Sequence, residues 1–150
     1  QDLMCAKIRL GLILSSSPNK NNQVEARKWL TESITINNLN VILTLAWMHE
    51  FGIGGQLNLD EAQKLYKLAA RLGSNKAFLS LANLSLRGIY GEPKIIEAMS
   101  YTILASRKDT PGSLQLFDQI LPLIDANEWD EIEISIASLQ SEINKIHINQ

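Results

Sequence analysis

The sequence predicts an all-α fold in which helix-turn-helix repeats follow one another and two helices close the C-terminal end. Three observations predict it. The chain resembles itself at a shift of 36 residues, apolar residues in each copy recur at spacings of three and four, and glycine, proline and capping residues separate the segments. We therefore expect an α-solenoid with repeats at about 3–37, 38–73 and 74–110, and capping helices at about 113–146. At 150 residues the chain should form one domain, 1–150.

The repeat is found by aligning the chain with itself. The positions that coincide are Ala26, Ala62 and Ala98; Trp29, Leu65 and Tyr101; Ser33, Ala69 and Ala105; Leu45-Ala46 and Leu81-Ala82; Gly52 and Gly88. An earlier copy, Leu10-Gly11, matches if its loop is one residue shorter. The first helix of each pair is expected near 3–16, 40–51 and 75–87, and the second near 23–36, 59–72 and 94–107.

Residues between the predicted helices favour these boundaries. Asn58 is placed to cap the helix that begins at residue 59. Gly73 supplies a left-handed helix end, and Ser74 is placed to cap the helix that follows. Pro93 suits a first helical turn, and Thr110-Pro111-Gly112 ends the third pair because proline cannot continue a helix.

The C-terminal part of the chain is predicted to form two further helices, over 114–124 and 128–146. In the second of them Ile132, Ile136, Leu139 and Ile143 recur at spacings of three and four, which forms a continuous apolar stripe. A stack of repeats needs a cover for its last hydrophobic face. We expect this stripe to provide it.

The second and third copies carry a recognisable pattern of small, aromatic and glycine residues. The residues concerned are Leu45, Ala46, Gly52, Gly54, Asp60, Ala62, Tyr66, Ala69, Ala70 and Gly73 in the second copy, and Ala77, Leu81, Ala82, Gly88, Ala98, Tyr101 and Ala105 in the third. This pattern resembles the Sel1-like repeat family, relatives of the tetratricopeptide repeats. The sequence departs from that family where Ala46 and Ala82 replace glycine, and where His49 and Ser85 replace tyrosine.

The resemblance implies a right-handed α-solenoid that acts as a non-catalytic binding module. Its expected partner is another protein, held in the concave groove, and the chain itself is expected to be a monomer or a weak dimer. The family is frequently bacterial and often exported, so the resemblance implies a periplasmic or exported protein, with a cytoplasmic one as the alternative. Because the chain begins at Gln1, both a removed signal peptide and a segment cut at a repeat boundary stay open.

Composition and charge argue against several other classes. Lys and Arg number 14 and Asp and Glu number 16, so no basic field is available to hold nucleic acid. No apolar run is long enough to span a membrane, and no membrane insertion is expected. The acidic run over 128–133 is interpreted as a solvated helix start that favours the helix dipole.

Residues that could perform chemistry are few, so the sequence predicts no catalytic residue, no metal site and no cofactor. His49 and His147 lack a second metal ligand nearby in sequence, and His49 is expected to fill the family's tyrosine position between helices. Cys5 is interpreted as a small buried hydrophobic residue. Trp29 and Trp129 are assigned to packing.

If the first helix of each pair lines the concave side, several of its residues should face a partner. The candidate partner-binding residues are Leu43, Trp47, Glu50, Phe51, Leu79, Asn83, Leu86 and Arg87. Aromatic and aliphatic groups flanked by charges are typical of a binding hot spot. The alternative is that the C-terminal helices fold back and bury these residues as core.

Three functional hypotheses follow from these expectations. The first is a protein-interaction module, and its more specific form is an immunity or inhibitor protein that neutralises a bacterial toxin or secreted enzyme. Another is a fragment of a larger cell-envelope scaffold. A hydrolase has little support, because the Sel1-like proteins suggested to be hydrolases tend to be cysteine-rich and this chain has one cysteine.

Overall fold

A computed structural model of the protein describes residues 2–34, 38–88, 91–107 and 109–147, with side chains described from 3 to 142 within these ranges. It confirms the all-α fold class, since the described residues form helices and no strand. The helices are α1 Asp2–Ser15, α2 Lys20–Glu32, α3 Leu39–Glu50, α4 Leu59–Arg71, α5 Asn75–Arg87, α6 Ile95–Ser106, α7 Ser113–Ile120 and α8 Trp129–His147.

The second helix of the first pair begins earlier than predicted. α2 starts at Lys20 because the side chain of Asn19 accepts a hydrogen bond from the Asn21 N–H at 2.9 Å, which caps the helix. It ends at Glu32, and residues 35–37 of the predicted helix lie outside the described residues. Pro93 does not lie in a first turn, because α6 begins two residues later at Ile95.

The predicted helix boundaries around α4 are confirmed by their capping contacts. The side chain of Asn58 accepts a hydrogen bond from the Glu61 N–H at 3.0 Å. Gly73 has a φ of 91°, the conformation expected of a residue that ends a helix. Ser74 then accepts from the Ala77 N–H at 3.4 Å and caps α5.

The described helices belong to two compact units, Gln1–Leu68 and Ala69–Gln150, whose boundary lies inside α4. In the first unit α1 packs along α2, and α3 contacts both of them. Gly11 allows the close approach of α1 to α2, since a Cβ at this position would lie 3.1 Å from the Leu30 side chain. The expectation of a single domain stays a prediction.

In the second unit α6 is the central helix and packs against α5, α7 and α8. Ile132 and Ile136 of α8 are buried and Leu139 is half-buried, while the side chain of Ile143 lies outside the described part. α7 ends at Ile120 rather than residue 124, because Leu121–Leu123 form a 3-10 turn that contains Pro122. The predicted capping helices therefore cover the third helix pair.

Candidate functional site

The candidate site begins with an exposed aromatic pair at the end of α3. Trp47 and Phe51 are four residues apart, so both project from the same side of the helix. Their ring centroids lie 6.1 Å apart at an angle of 52°. Trp47 is 38% exposed and Phe51 is 54% exposed. Neither aromatic residue is therefore an ordinary core residue of the first unit.

Glu50 was predicted to flank the patch as a groove charge, and this prediction is wrong. It is only 8% exposed. Its Oε2 accepts a hydrogen bond of 2.8 Å from the hydroxyl of Tyr66 in α4. A carboxylate at this depth needs such a partner to offset its lost hydration. Glu50 thus ties α3 to α4 and is not part of the exposed surface.

The remaining predicted residues divide between the two units. Leu43, in the first unit, lies four residues before Trp47 in α3 and is half-buried. In the second unit α5 carries Leu79 and Leu86, which are half-buried, and Asn83 and Arg87, which are exposed. The Asn83 amide donates to the Leu79 carbonyl oxygen at 2.9 Å. All of these side chains retain some solvent contact.

A polar clamp that the sequence did not reveal holds the loop after α3. The Arg27 guanidinium donates to the carbonyl oxygens of Ile53 at 3.3 Å and Gln56 at 3.1 Å. Its Nη2 lies 2.6 Å from Nδ1 of His49, which accepts as the neutral ring. Gly54 lets this loop pass directly over the carbonyl group of Gln23 in α2. Nothing in the spacing of Arg27 and His49 along the chain indicates that they meet.

Burial and the Arg27 charge lower the pKa of His49, while Glu61 raises it by less. Burial also lowers the pKa of Arg27 itself. His49 was expected to fill the family's tyrosine position between helices, and the structure places it half-buried on α3, with its ring against Arg27 of α2. Its role there is to accept a hydrogen bond from a cation, which favours a neutral imidazole.

Two other sequence-based assignments are changed by the structure, and a third agrees with it. Cys5 was predicted to be buried and is exposed. Trp29 was assigned to a repeat core position and is only half-buried. Trp129 is half-buried at the start of α8, in agreement with a packing role at the edge of the unit.

The second unit contains an open groove of about 640 Å³ between the start of α6 and α8. Ile96 and Leu139 contribute apolar surface, and Lys94, Glu97 and Glu128 contribute charge. Both carboxylates already have partners. Glu97 pairs with Lys94 at 3.6 Å, and Glu128 accepts from the Asp125 N–H at 2.7 Å. The groove therefore offers surface for contact and no poised acid-base pair.

Groups suited to catalysis are sparse in the described part of the chain. No three His, Cys, Asp or Glu side chains there are grouped so that they could hold a metal ion. Burial, together with Glu97, raises the pKa of the Tyr101 hydroxyl far above its usual value, so it stays protonated. Within the same residues, none of the helices is both long and apolar enough to cross a membrane.

Comparisons with known proteins identify the fold. No protein-family profile matches the chain, and no curated protein sequence matches it. Among solved structures, a protective antigen of uropathogenic Escherichia coli that displays a Sel1-like repeat fold is similar to 91% of the chain, with 17% identity and a TM-score of 0.80. A Sel1 repeat protein from Oxalobacter formigenes is similar to 90% of it, with 23% identity and a TM-score of 0.70.

The chain spans 29% of the length of the first of these structures and 56% of the second. Each similarity covers at least 90% of the present chain. Both solved structures are described as Sel1-like repeat proteins, the family that the sequence resembles. The protein therefore has the Sel1-like repeat fold.

Proposed function

We propose that the protein is a non-catalytic interaction module that binds a partner protein through the concave face of its repeats, with Trp47 and Phe51 at the centre of the contact. The observation that carries this proposal is the exposure of two adjacent aromatic rings on α3. Aromatic side chains bury large areas at small cost in conformational entropy, which is why they dominate binding hot spots.

The helix that carries the pair is fixed on its other sides. Met48, between the two rings in sequence, is completely buried, and Glu50 is bonded to Tyr66. The backbone N–H of Asn58 donates to the His49 carbonyl oxygen at 2.9 Å, which closes the loop after Phe51 back onto α3. A partner would thus meet a preorganised surface, which reduces the entropic cost of binding.

The proposed contact on the first unit extends from this pair to Leu43, which lies one turn earlier on α3. The second unit has a separate candidate surface on α5, where Leu79 and Leu86 offer aliphatic area and Asn83 and Arg87 offer polar groups. An apolar centre with a polar margin is the usual composition of a protein interface. The partner surface should accordingly present a pocket or an aliphatic patch for the rings.

The test is site-specific photo-crosslinking followed by measured binding. Phe51→benzoylphenylalanine should capture one protein from an extract of the source organism, and Leu114→benzoylphenylalanine, at a still more exposed apolar site on α7, should not. The captured protein is then purified and titrated against the native chain. Because a hot-spot side chain contributes about 2 kcal/mol, Trp47→Ala should weaken binding by roughly 30-fold.

A matched variant separates binding from folding. Leu114→Ala removes a similar exposed side chain and should leave both affinity and circular dichroism unchanged. If the Trp47→Ala, Phe51→Ala double variant is folded and still binds within twofold of the native chain, the aromatic pair is not the contact. If the two crosslinking sites capture the same proteins equally, the concave surface is not selective.

The immunity or inhibitor hypothesis is a narrower version of this proposal. It is supported by the exposed carboxylates Asp130, Glu131 and Glu133 on α8, which suit a basic partner surface. A toxin or secreted enzyme with a basic surface should lose activity when the native chain is added in equimolar amount. If the captured partner keeps its full activity, the inhibitor hypothesis is contradicted, while the general interaction hypothesis still stands.

The proposed location is the bacterial periplasm or the cell exterior, and the proposed state is a monomer or weak dimer. One of the similar structures is a protective antigen of Escherichia coli, and that similarity supports the proposed location. Cell fractionation with an antibody against the chain tests the location. Recovery in the cytoplasmic fraction alone would contradict it and favour the cytoplasmic alternative.

A further inference from the structure

The loop between α3 and α4 is seated against α2 by the side chain of Arg27. The guanidinium donates to the carbonyl oxygens of Ile53 at 3.3 Å and Gln56 at 3.1 Å. Two glycines make the close seat possible. A Cβ at Gly54 would overlap the backbone of α2, and a Cβ at Gly55 would lie 2.8 Å from the guanidinium. The seat of this loop therefore depends on where the guanidinium is held.

His49 holds the guanidinium in the position that this contact needs. Nη2 of Arg27 lies 2.6 Å from Nδ1 of His49, and Nδ1 can accept a hydrogen bond only when it carries no proton. A protonated imidazole has two donors and no acceptor, so the hydrogen bond is then replaced by the repulsion of two cations at contact distance. Protonation of His49 thus acts directly on the side chain that seats the loop.

The charged groups that act on the imidazole lie on α2 and α4 and have opposite effects. Burial lowers the pKa of His49 most, the charge of Arg27 lowers it further, and Glu61 in the first turn of α4 raises it. On α3 itself the neighbouring Glu50 is bonded to Tyr66, and residues 51–58 of the loop carry no charge. A protonated imidazole is therefore repelled from α2 and attracted to the carboxylate on α4.

Protonation can occur while the first unit stays folded. His49 and Arg27 are both half-buried, so each keeps contact with solvent. Each end of the loop is also bonded to α3 independently of Arg27. The Ile53 N–H donates to an α3 carbonyl oxygen at 2.8 Å, and the Asn58 N–H donates to the His49 carbonyl oxygen at 2.9 Å. Only the residues between these two bonds depend on Arg27 for their contact with α2.

We propose that Arg27 and His49 form a proton-operated latch. With His49 neutral, residues 54–57 lie against α2, and with His49 protonated this segment separates from α2 while the rest of the unit stays folded. Leu57 in this segment is 59% exposed and lies against Gly52, which follows Phe51 in the chain. The apolar surface beside Phe51 therefore changes with pH. An effect on partner binding rests on the proposed function, whereas the latch itself does not.

The experiment is backbone amide relaxation of the whole chain by NMR, at about pH 7.5 and about pH 5, on either side of the ordinary histidine pKa of about 6.5. As the pH is lowered, we expect the order parameters of Gly54 and Gly55 to fall from about 0.85 to below about 0.6, the values typical of rigid and flexible backbone. Those of Leu30 and Leu45, in the buried core of the first unit, should stay at the rigid value. Gly73, a loop glycine of the second unit, should not change with pH.

His49→Gln gives the matched control. The glutamine carbonyl oxygen can accept from Arg27 and does not titrate, so the loop of this variant should stay rigid at both pH values. As a second variant, Glu61→Gln keeps the latch and removes the carboxylate that favours the protonated ring. It should therefore shift the release of the loop to lower pH.

Three results would overturn the latch. One is a loop that stays rigid at the lower pH in the native chain, and another is a loop that loosens equally in His49→Gln. The third is a loss of order at Leu30 and Leu45 together with the loop, because the unit then unfolds as a whole. The measurement needs no partner protein, so its outcome does not depend on whether the crosslinking experiment succeeds.

Discussion

Gly54 lies in the loop between α3 and α4, where its backbone passes over α2. It has a φ of 68°, and a Cβ at this position would overlap the carbonyl group of Gln23 and lie 3.1 Å from the Val24 nitrogen. Gly73 has a φ of 91°, and a Cβ there would meet nothing within 4 Å. The two glycines share a left-handed backbone and differ in what surrounds them.

This difference sets the expected effect of alanine at each site. The left-handed conformation costs a residue with a Cβ about 1–2 kcal/mol, so Gly73→Ala should destabilise the protein by about that amount. Gly54→Ala adds a clash that pushes the loop from α2 and breaks the Arg27 bonds to Ile53 and Gln56. At about 1 kcal/mol for each partly exposed bond, the total becomes about 3–4 kcal/mol. Alanine also lowers the conformational entropy of the unfolded chain, and this partly offsets the loss of stability by the same amount in both variants.

The assay is urea unfolding followed by circular dichroism and tryptophan fluorescence. Trp29 and Trp47 report on the first unit and Trp129 on the second, so separate transitions would be resolved. We expect the free energy of unfolding to fall by about 2 kcal/mol more for Gly54→Ala than for Gly73→Ala. If the two variants differ by less than about 0.5 kcal/mol, the loop is not held against α2 and the Arg27 clamp carries no stability.

Three further predictions concern single side chains. Tyr66→Phe removes one hydrogen-bond donor to buried Glu50 and should lower the free energy of unfolding by about 1.5–3 kcal/mol. Glu50→Gln should lower it by less, and equal losses would contradict a charge-assisted bond. The pKa of His49 is lower in the folded chain, so its protonation favours unfolding. Stability should therefore fall as the pH decreases below about 6.5, and His49→Gln should reduce that fall in parallel urea titrations. Cys5 should react with a maleimide in the native protein nearly as fast as in urea, and strong protection would show that α1 is covered.

The fold and most helix boundaries could be predicted because they depend on local patterns. Helical spacing, caps such as Asn58 and Ser74, and the 36-residue similarity are all properties of neighbouring or equivalent residues. The start of α2 was misplaced because Asn19 forms a cap that the apolar pattern does not require. The aromatic pair was predicted from the four-residue spacing of Trp47 and Phe51, which by itself places two side chains on one side of a helix.

The sequence by itself determined the all-α repeat architecture, since a periodic pattern of apolar and small residues allows few other ways to bury its surface. Only the tertiary structure decided which side of each helix meets a neighbour. It turned Glu50 inward to Tyr66, brought Arg27 to His49 and left Cys5 exposed. These two hydrogen bonds join residues 16 and 22 positions apart, and their partners depend on how helices pack rather than on the order of residues along the chain.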